Sequence, residues 1–133
     1  MSWYRSLYTL KAISFLLEAG VKTNIHYVLM KDSIKEAIEL LEGDKFPKGI
    51  NAVVFLLHKP VGLGSDTQII RKENPDLKRF LECIERKQFP FKIGFDSCTV
   101  PALLGSSSFA SRSMDTCEGG RWSAYISSDL KMM

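Results

Sequence analysis

Apolar positions along the first hundred residues switch between helical and strand-like spacing. Residues 3–19 carry leucines at helical intervals, and Gly20 follows as a stop signal. Residues 23–30 are rich in β-forming side chains and predict a strand. The run 52–57 is apolar without interruption, which is typical of a strand buried on both faces of a parallel sheet. Residues 91–95 predict a third, short strand.

Two helices between these strands carry clear boundary signals. Ser33 and Glu36 have the spacing of a capping box, in which each side chain satisfies the other residue's backbone N–H. Apolar residues then recur at i, i+3, i+4 and i+7, and Gly43 closes the helix. Asn74 is the expected N-cap of the next helix, and Pro75 suits its first turn. The order α-β-α-β-α-β predicts an α/β fold of βαβ units with right-handed crossovers.

After the third predicted strand, the alternation of predicted helices and strands stops. Residues 105–115 are small and polar and predict a loop. Residues 121–127 predict a strand, and Ser128-Asp129 predicts a turn. Residues 130–133 resemble the first residues of a returning strand. We therefore expect the start of a β-hairpin at this end.

Composition and charge limit the kinds of function that this chain is expected to have. The chain of 133 residues is 45% hydrophobic and 25% charged, as in ordinary globular domains. Its net charge of +3 comes from scattered residues, which argues against a nucleic-acid or anionic membrane partner. Lys11 and Glu18 interrupt the first apolar run, so neither a signal peptide nor a membrane span is expected. Three cysteines fit a reducing compartment, and we expect a cytoplasmic protein.

Candidate chemistry is expected where the predicted strands end. In parallel α/β sheets and barrels, functional groups gather at the carboxyl ends of the strands. Those ends are residues 30–32, 58–62 and 96–98, and the connection 58–73 is unusually long. His26 instead alternates with apolar neighbours on the first strand and is expected to be a core histidine. His58, at a strand end, is more open to a functional role.

The cysteines divide into two kinds. Cys98 and Cys117 lie in irregular segments, where a thiolate could reach a metal or an iron–sulfur cluster. Two cysteines do not complete such a ligand set, so a pair of ordinary free thiols is the alternative. Cys83 lies beside the apolar stripe of a helix, and packing as a small hydrophobic residue accounts for it.

Three segments and the tail resemble the second half of a radical S-adenosylmethionine (radical SAM) protein. The segments are TNIHYVLMKDSIKEAIELLE, NAVVFLLHKPVGLG and KIGFDSCTVPALL, similar to roughly the fourth to sixth βα units of that barrel. The tail from Cys117 to Asp129 is similar to the opening of a SPASM or twitch extension. The likeness implies a partial (β/α) barrel of about three βα units over residues 1–104. Residues 105–133 would then be a loop and a truncated SPASM/twitch-like extension.

The resemblance also implies cofactors and site residues. Intact members of the family use a [4Fe–4S] cluster and S-adenosylmethionine, and a peptide or protein substrate is an expected partner. Cys98 and Cys117 match auxiliary-cluster ligand positions. Asn24, Lys59 and Gly62 match segments that line the cofactor and substrate cavity.

The sequence also departs from the family pattern. It contains no CxxxCxxC, the first three βα units are absent, and the Pro-Cys expected after Met133 is absent. We therefore expect no radical chemistry from this polypeptide alone. Three hypotheses stay open: a fragment of a radical SAM enzyme, a subunit that docks onto a partner supplying the missing half-barrel, and an unrelated cytoplasmic α/β binding domain. A half-barrel leaves a strand edge unpaired, which predicts self-association.

Overall fold

The computed structural model describes residues 6–60, 64–97, 99, 126 and 131. Its helices and strands follow the predicted α-β-α-β-α-β order, with a short 3-10 turn at Asp66–Gln68. The elements are α1 (Leu7–Glu18), β1 (Asn24–Leu29), α2 (Ile34–Glu42), β2 (Ala52–Leu57), α3 (Pro75–Arg86) and β3 (Lys92–Phe95). The sequence pattern therefore located each of these six elements to within a few residues.

The three strands form one parallel sheet in the order β1-β2-β3. The register pairs Asn24 with Ala52 and Ala52 with Lys92, so the strands start level with one another. Helices α2 and α3 pack against each other over the same face of the sheet. This confirms the expected α/β fold of parallel βα units. Strands in chain order with helices on one face are typical of βα barrels, whereas doubly wound sheets carry helices on both faces.

The hydrophobic core lies between this face of the sheet and the helices. Phe55 on β2 is fully buried at its centre. Its ring centroid lies 4.8 Å from that of Phe80 on α3 and 5.8 Å from that of Tyr27 on β1. Phe46 and Phe95 complete the contacts at 6.5 and 6.2 Å. Edge-on and tilted rings at these distances attract each other beyond the area that they bury.

The opposite face of the sheet, which we call the inner face, is less buried than the sequence predicted. Asn24, His26 and Val28 are exposed there. Val54 and Leu56 on β2 are only half-buried, so the unbroken apolar run of this strand does not reflect full burial on both faces. The expectation of a core histidine at position 26 is wrong, because the alternation of β1 points His26 to this face.

Cap signals were right for one helix and wrong for another. The Asn74 side chain accepts a hydrogen bond from the Asp76 backbone N–H at 2.8 Å, as predicted. The Ser33 side chain makes no cap hydrogen bond to α2. Its hydroxyl instead donates to the Val28 carbonyl and accepts from the Met30 N–H, both at 2.9 Å. Ser33 therefore holds the tight turn that leaves β1, and the capping-box prediction fails for this residue.

Helix α1 is attached to the core by only part of its surface. Ile13 is buried and Leu17 is partly buried against the core, and α1 ends before Gly20, whose φ of 71° favours glycine. A second apolar face of the helix stays exposed. We call it the α1 stripe, formed by Tyr8, Ala12, Phe15 and Leu16.

The chain divides into two compact units, residues 1–96 and 97–133. The first contains the six elements above. In the second, only residues 97, 99, 126 and 131 are described, with Thr99 buried and Ile126 exposed. The rest of the predicted loop and hairpin of residues 105–133 lies outside the described residues, and the predicted boundary at 104/105 stays a prediction. Among the described helices, none is long and apolar enough to cross a membrane.

Candidate functional site

The carboxyl ends of the three strands meet at one edge of the sheet, because the strands are parallel. An ion pair joins two of these ends. Lys59, after β2, places its Nζ 3.5 Å from Oδ2 of Asp96, which follows β3. The Asp96 backbone N–H also donates to the Phe55 carbonyl, which continues the sheet hydrogen bonding to this residue. Partly exposed pairs of this kind contribute about 1 kcal/mol or less to stability. The pair therefore matters here for the two charges that it places at this edge rather than for stability.

The long connection after β2 folds back over the end of β1. The Gln68 side-chain amide donates to Asp32 Oδ2 at 2.7 Å and accepts from the Asp32 backbone N–H at 3.3 Å. The Lys31 backbone N–H donates to the Gln68 carbonyl at 3.0 Å. His58 lies at the other end of this connection, with Nε2 3.0 Å from the Ser65 carbonyl. Since a carbonyl only accepts, Nε2 carries the proton.

An open cleft of about 810 Å³ lies beside this connection. Two cationic and two anionic side chains line it, so no single sign of charge dominates. This mixture fits a small polar or zwitterionic ligand better than a phosphate group. The lining residues are Lys31, Asp66, Thr67, Ile69, Arg71, Glu73 and Asn74.

We expect Gln68→Ala to loosen this connection without unfolding the domain. The substitution removes both side-chain hydrogen bonds to Asp32, and exposed bonds of this kind contribute about 1 kcal/mol each or less. Limited proteolysis within residues 64–73 should become several-fold faster, while the urea midpoint changes little. Thr67→Ala, a neighbouring change that leaves the Asp32 contacts in place, is the control. Equal proteolysis rates for the two variants would contradict this role of Gln68.

The structure does not bring together all of the sequence-predicted site residues. Asn24 lies at the amino end of β1, where its Oδ1 accepts from Asn51 Nδ2 at 2.6 Å. Lys59 follows the carboxyl end of β2, beyond Leu57, and therefore lies more than about 20 Å from Asn24 along the strand direction. Gly62, Cys98 and Cys117 lie outside the described residues. The cavity-lining and ligand roles assigned to these five residues stay predictions.

The described residues offer no ligand set for a metal or an iron–sulfur cluster. Among them, no group of three or more His, Cys, Asp or Glu side chains could hold a metal ion. Cys83 is described, and it lies half-buried on α3, away from the strand ends. Burial, together with the nearby Glu42 carboxylate, raises the pKa of the Cys83 thiol. A raised pKa disfavours the thiolate that cluster ligation needs.

Comparisons of the chain with protein-family models, with curated proteins and with solved structures found no match in any of the three. The likeness to radical SAM proteins therefore stands on the sequence segments alone, and what it implies for function is a proposal.

Proposed function

We propose that the chain supplies three consecutive βα units of a radical SAM-type barrel and forms one wall of its cofactor and substrate cavity. On this proposal the chain carries out no radical chemistry until the rest of the barrel is present. The observation that carries it is the one-sided sheet: helices cover the outer face, and the inner face is partly open.

The composition of the inner face supports a cavity wall rather than a packed interior. Across its middle row lie His26, Val54 and Gly94. A Cβ atom at Gly94 would lie 3.4 Å from Val54 Cγ2. A side chain at this position would therefore fill space beside Val54 that glycine leaves open. Filled barrels instead carry bulky branched side chains in layers. In this row only Val54 is of that kind, and His26 and Gly94 on either side of it leave space for a ligand.

The carboxyl edge supports the same proposal from another direction. Lys59, Asp96 and His58 place charge and hydrogen-bonding groups at the mouth of such a cavity. Functional groups of βα barrels lie at this edge, since the loops there vary without disturbing the strands. Because the sequence contains no CxxxCxxC, the cluster that generates the radical would on this proposal be held by the other half of the barrel.

A second candidate function, a small α/β binding domain, is favoured by a separate observation. The 810 Å³ cleft pairs the cations Lys31 and Arg71 with the anions Asp66 and Glu73. It lies outside the inner face and needs no completed barrel. Binding of a small zwitterion by the isolated chain, lost in Arg71→Ala, would favour this candidate.

The first proposal is tested by finding the missing half. We would determine the DNA sequence on both sides of the reading frame, and we would purify the tagged chain anaerobically and identify bound proteins by mass spectrometry. We expect a CxxxCxxC segment with three further βα units, either encoded upstream or in a co-purifying protein that carries iron. If neither source contains that motif, the barrel proposal is overturned and the binding-domain candidate takes its place.

A further inference from the structure

The side of β1 that faces away from β2 is an open sheet edge among the described strands. The Leu29 carbonyl accepts from the His58 N–H, so the backbone groups of Leu29 point towards β2. In a parallel strand the backbone groups of successive residues point to opposite sides, so those of Val28 and Met30 point to the open edge. Open edges of this kind pair readily with another chain unless something protects them.

The Ser33 hydroxyl closes the carboxyl half of this edge. It donates to the Val28 carbonyl and accepts from the Met30 N–H, both at 2.9 Å. A residue of a parallel neighbouring strand, placed opposite Leu29, would make the same two bonds with its own N–H and carbonyl. One hydroxyl replaces that residue because it is a donor and an acceptor at once. Ser33 is only 8% exposed, so its hydroxyl is held in this position by its surroundings.

The half of the edge that Ser33 closes is the apolar half. Val28 is 41% exposed and Met30 is half-buried. The amino half instead carries exposed polar side chains, those of Lys22, Asn24 and His26. Short apolar segments of high β propensity are the ones that pair with other chains, whereas charged side chains at an edge discourage pairing. The hydroxyl therefore lies where the side chains of β1 give the edge no protection of their own.

We propose that the Ser33 hydroxyl blocks the pairing of a second copy of this chain with the carboxyl half of the β1 edge. The block goes beyond the proposed function, because it concerns the chain before any other half of the barrel is present. It follows from β1 and the turn after it, so it stands or falls independently of the missing half-barrel.

Sedimentation velocity of the full chain across a concentration series tests the block. Ser33→Ala uncovers the Val28 carbonyl and the Met30 N–H, so association should begin at a concentration about ten-fold lower than for the wild-type chain. Tyr27→Phe is the matched control, because the Tyr27 hydroxyl donates to Glu36 Oε2 at 3.0 Å and to the Ser33 carbonyl at 3.2 Å. It loosens the same turn without uncovering the edge. Association of Ser33→Ala that is no stronger than that of Tyr27→Phe overturns the proposal.

The double variant Ser33→Ala/Val28→Pro shows whether this association uses the β1 edge. The Val28 N–H points to the open edge, so a proline there breaks no bond to β2 but removes a donor from the edge. The double variant should associate only at the concentrations that the wild-type chain needs, and far-UV circular dichroism checks that it is folded. If the folded double variant associates as readily as Ser33→Ala, the contact lies elsewhere and the proposal is overturned.

Amide hydrogen exchange of Ser33→Ala gives the same answer if the proline unfolds the chain. The Met30 N–H has lost its bond to Ser33 in this variant and should exchange rapidly in dilute solution. Pairing at the edge should slow this exchange several-fold as the concentration rises. Association without any protection of the Met30 amide overturns the proposal.

Discussion

Phe55→Ala should lower the free energy of unfolding by about 3–5 kcal/mol, the usual cost of truncating a fully buried phenylalanine. Phe55 has no exposed surface and contacts rings from both neighbouring strands and from α3. Its removal leaves a cavity that the sheet and helix cannot close without losing register. Since domains of this size have only about 5–15 kcal/mol in total, much of the chain should be unfolded or aggregated.

Urea unfolding followed by circular dichroism would measure this change. Phe15→Ala is the control, because it truncates the same side chain where the ring is mostly exposed. It should shift the midpoint little, because an exposed ring loses few contacts when it is truncated. A loss below about 1 kcal/mol for Phe55→Ala would contradict the core described here, since it is less than a typical surface-to-core difference.

Lys87→Met should cost about 2 kcal/mol, which is large for a lysine. Its Nζ donates to the carbonyls of Leu41 and Glu42 at 2.9 and 3.0 Å and lies 2.8 Å from Asp44 Oδ1. These carbonyls end α2, which has no basic residue in its own last turn. Lys87, which follows α3, therefore supplies the positive charge and the hydrogen-bond donors for the last carbonyls of α2.

Lys35→Met is the matched control for this change. The Lys35 side chain is 74% exposed, and its Nζ lies 4.0 Å from Asp76 Oδ2. The Lys87 side chain is only 30% exposed. An exposed pair of this kind contributes about 0.2–1 kcal/mol at most. Methionine preserves most of the apolar stem in both variants, so the difference between their urea midpoints reports the lost polar contacts together with the cation–π contact of Lys87 with the Phe89 ring. Equal shifts would contradict the capping role of Lys87.

The sequence signals that succeeded were local ones. Asn74 and Pro75 start α3 as predicted, since an N-cap and a proline in the first turn need only their immediate neighbours. Ser33 has the same kind of signal but bonds back to Val28 and Met30. The tight turn after β1 brings those backbone groups closer than the helix N-terminus. A cap motif therefore predicts where a helix begins better than it predicts which hydrogen bond forms.

Burial on each face of the sheet was harder to predict. The apolar run of β2 suggested cover on both sides, yet Val54 and Leu56 are half-buried. An apolar side chain favours burial, but it is buried only where another element of the structure covers it. In β1, Asn24 and His26 alternate with buried neighbours, and this alternation was the available signal for an open inner face.

The position of the candidate site could be predicted from the sequence, but the contacts between its side chains could not. Parallel strands require that residues 30–32, 58–60 and 96 share one edge, and they do. The contact of Gln68 with Asp32 spans 36 residues and depends on how the long connection folds back. No spacing in the sequence encodes it. The Lys59–Asp96 pair likewise requires knowledge of strand order.

The Lys87 contacts have a consequence for the order in which the domain opens. Together with the Arg79–Glu42 ion pair, they tie the end of α2 to α3. Helix α1 has no comparable polar link among the described contacts and is held by Ile13 and Leu17. We therefore expect α1 to open separately from the rest of the domain and at a lower free-energy cost. Amide protons of α1 should exchange through an early local opening, whereas those of β2, α2 and α3 should exchange together in a later, shared event.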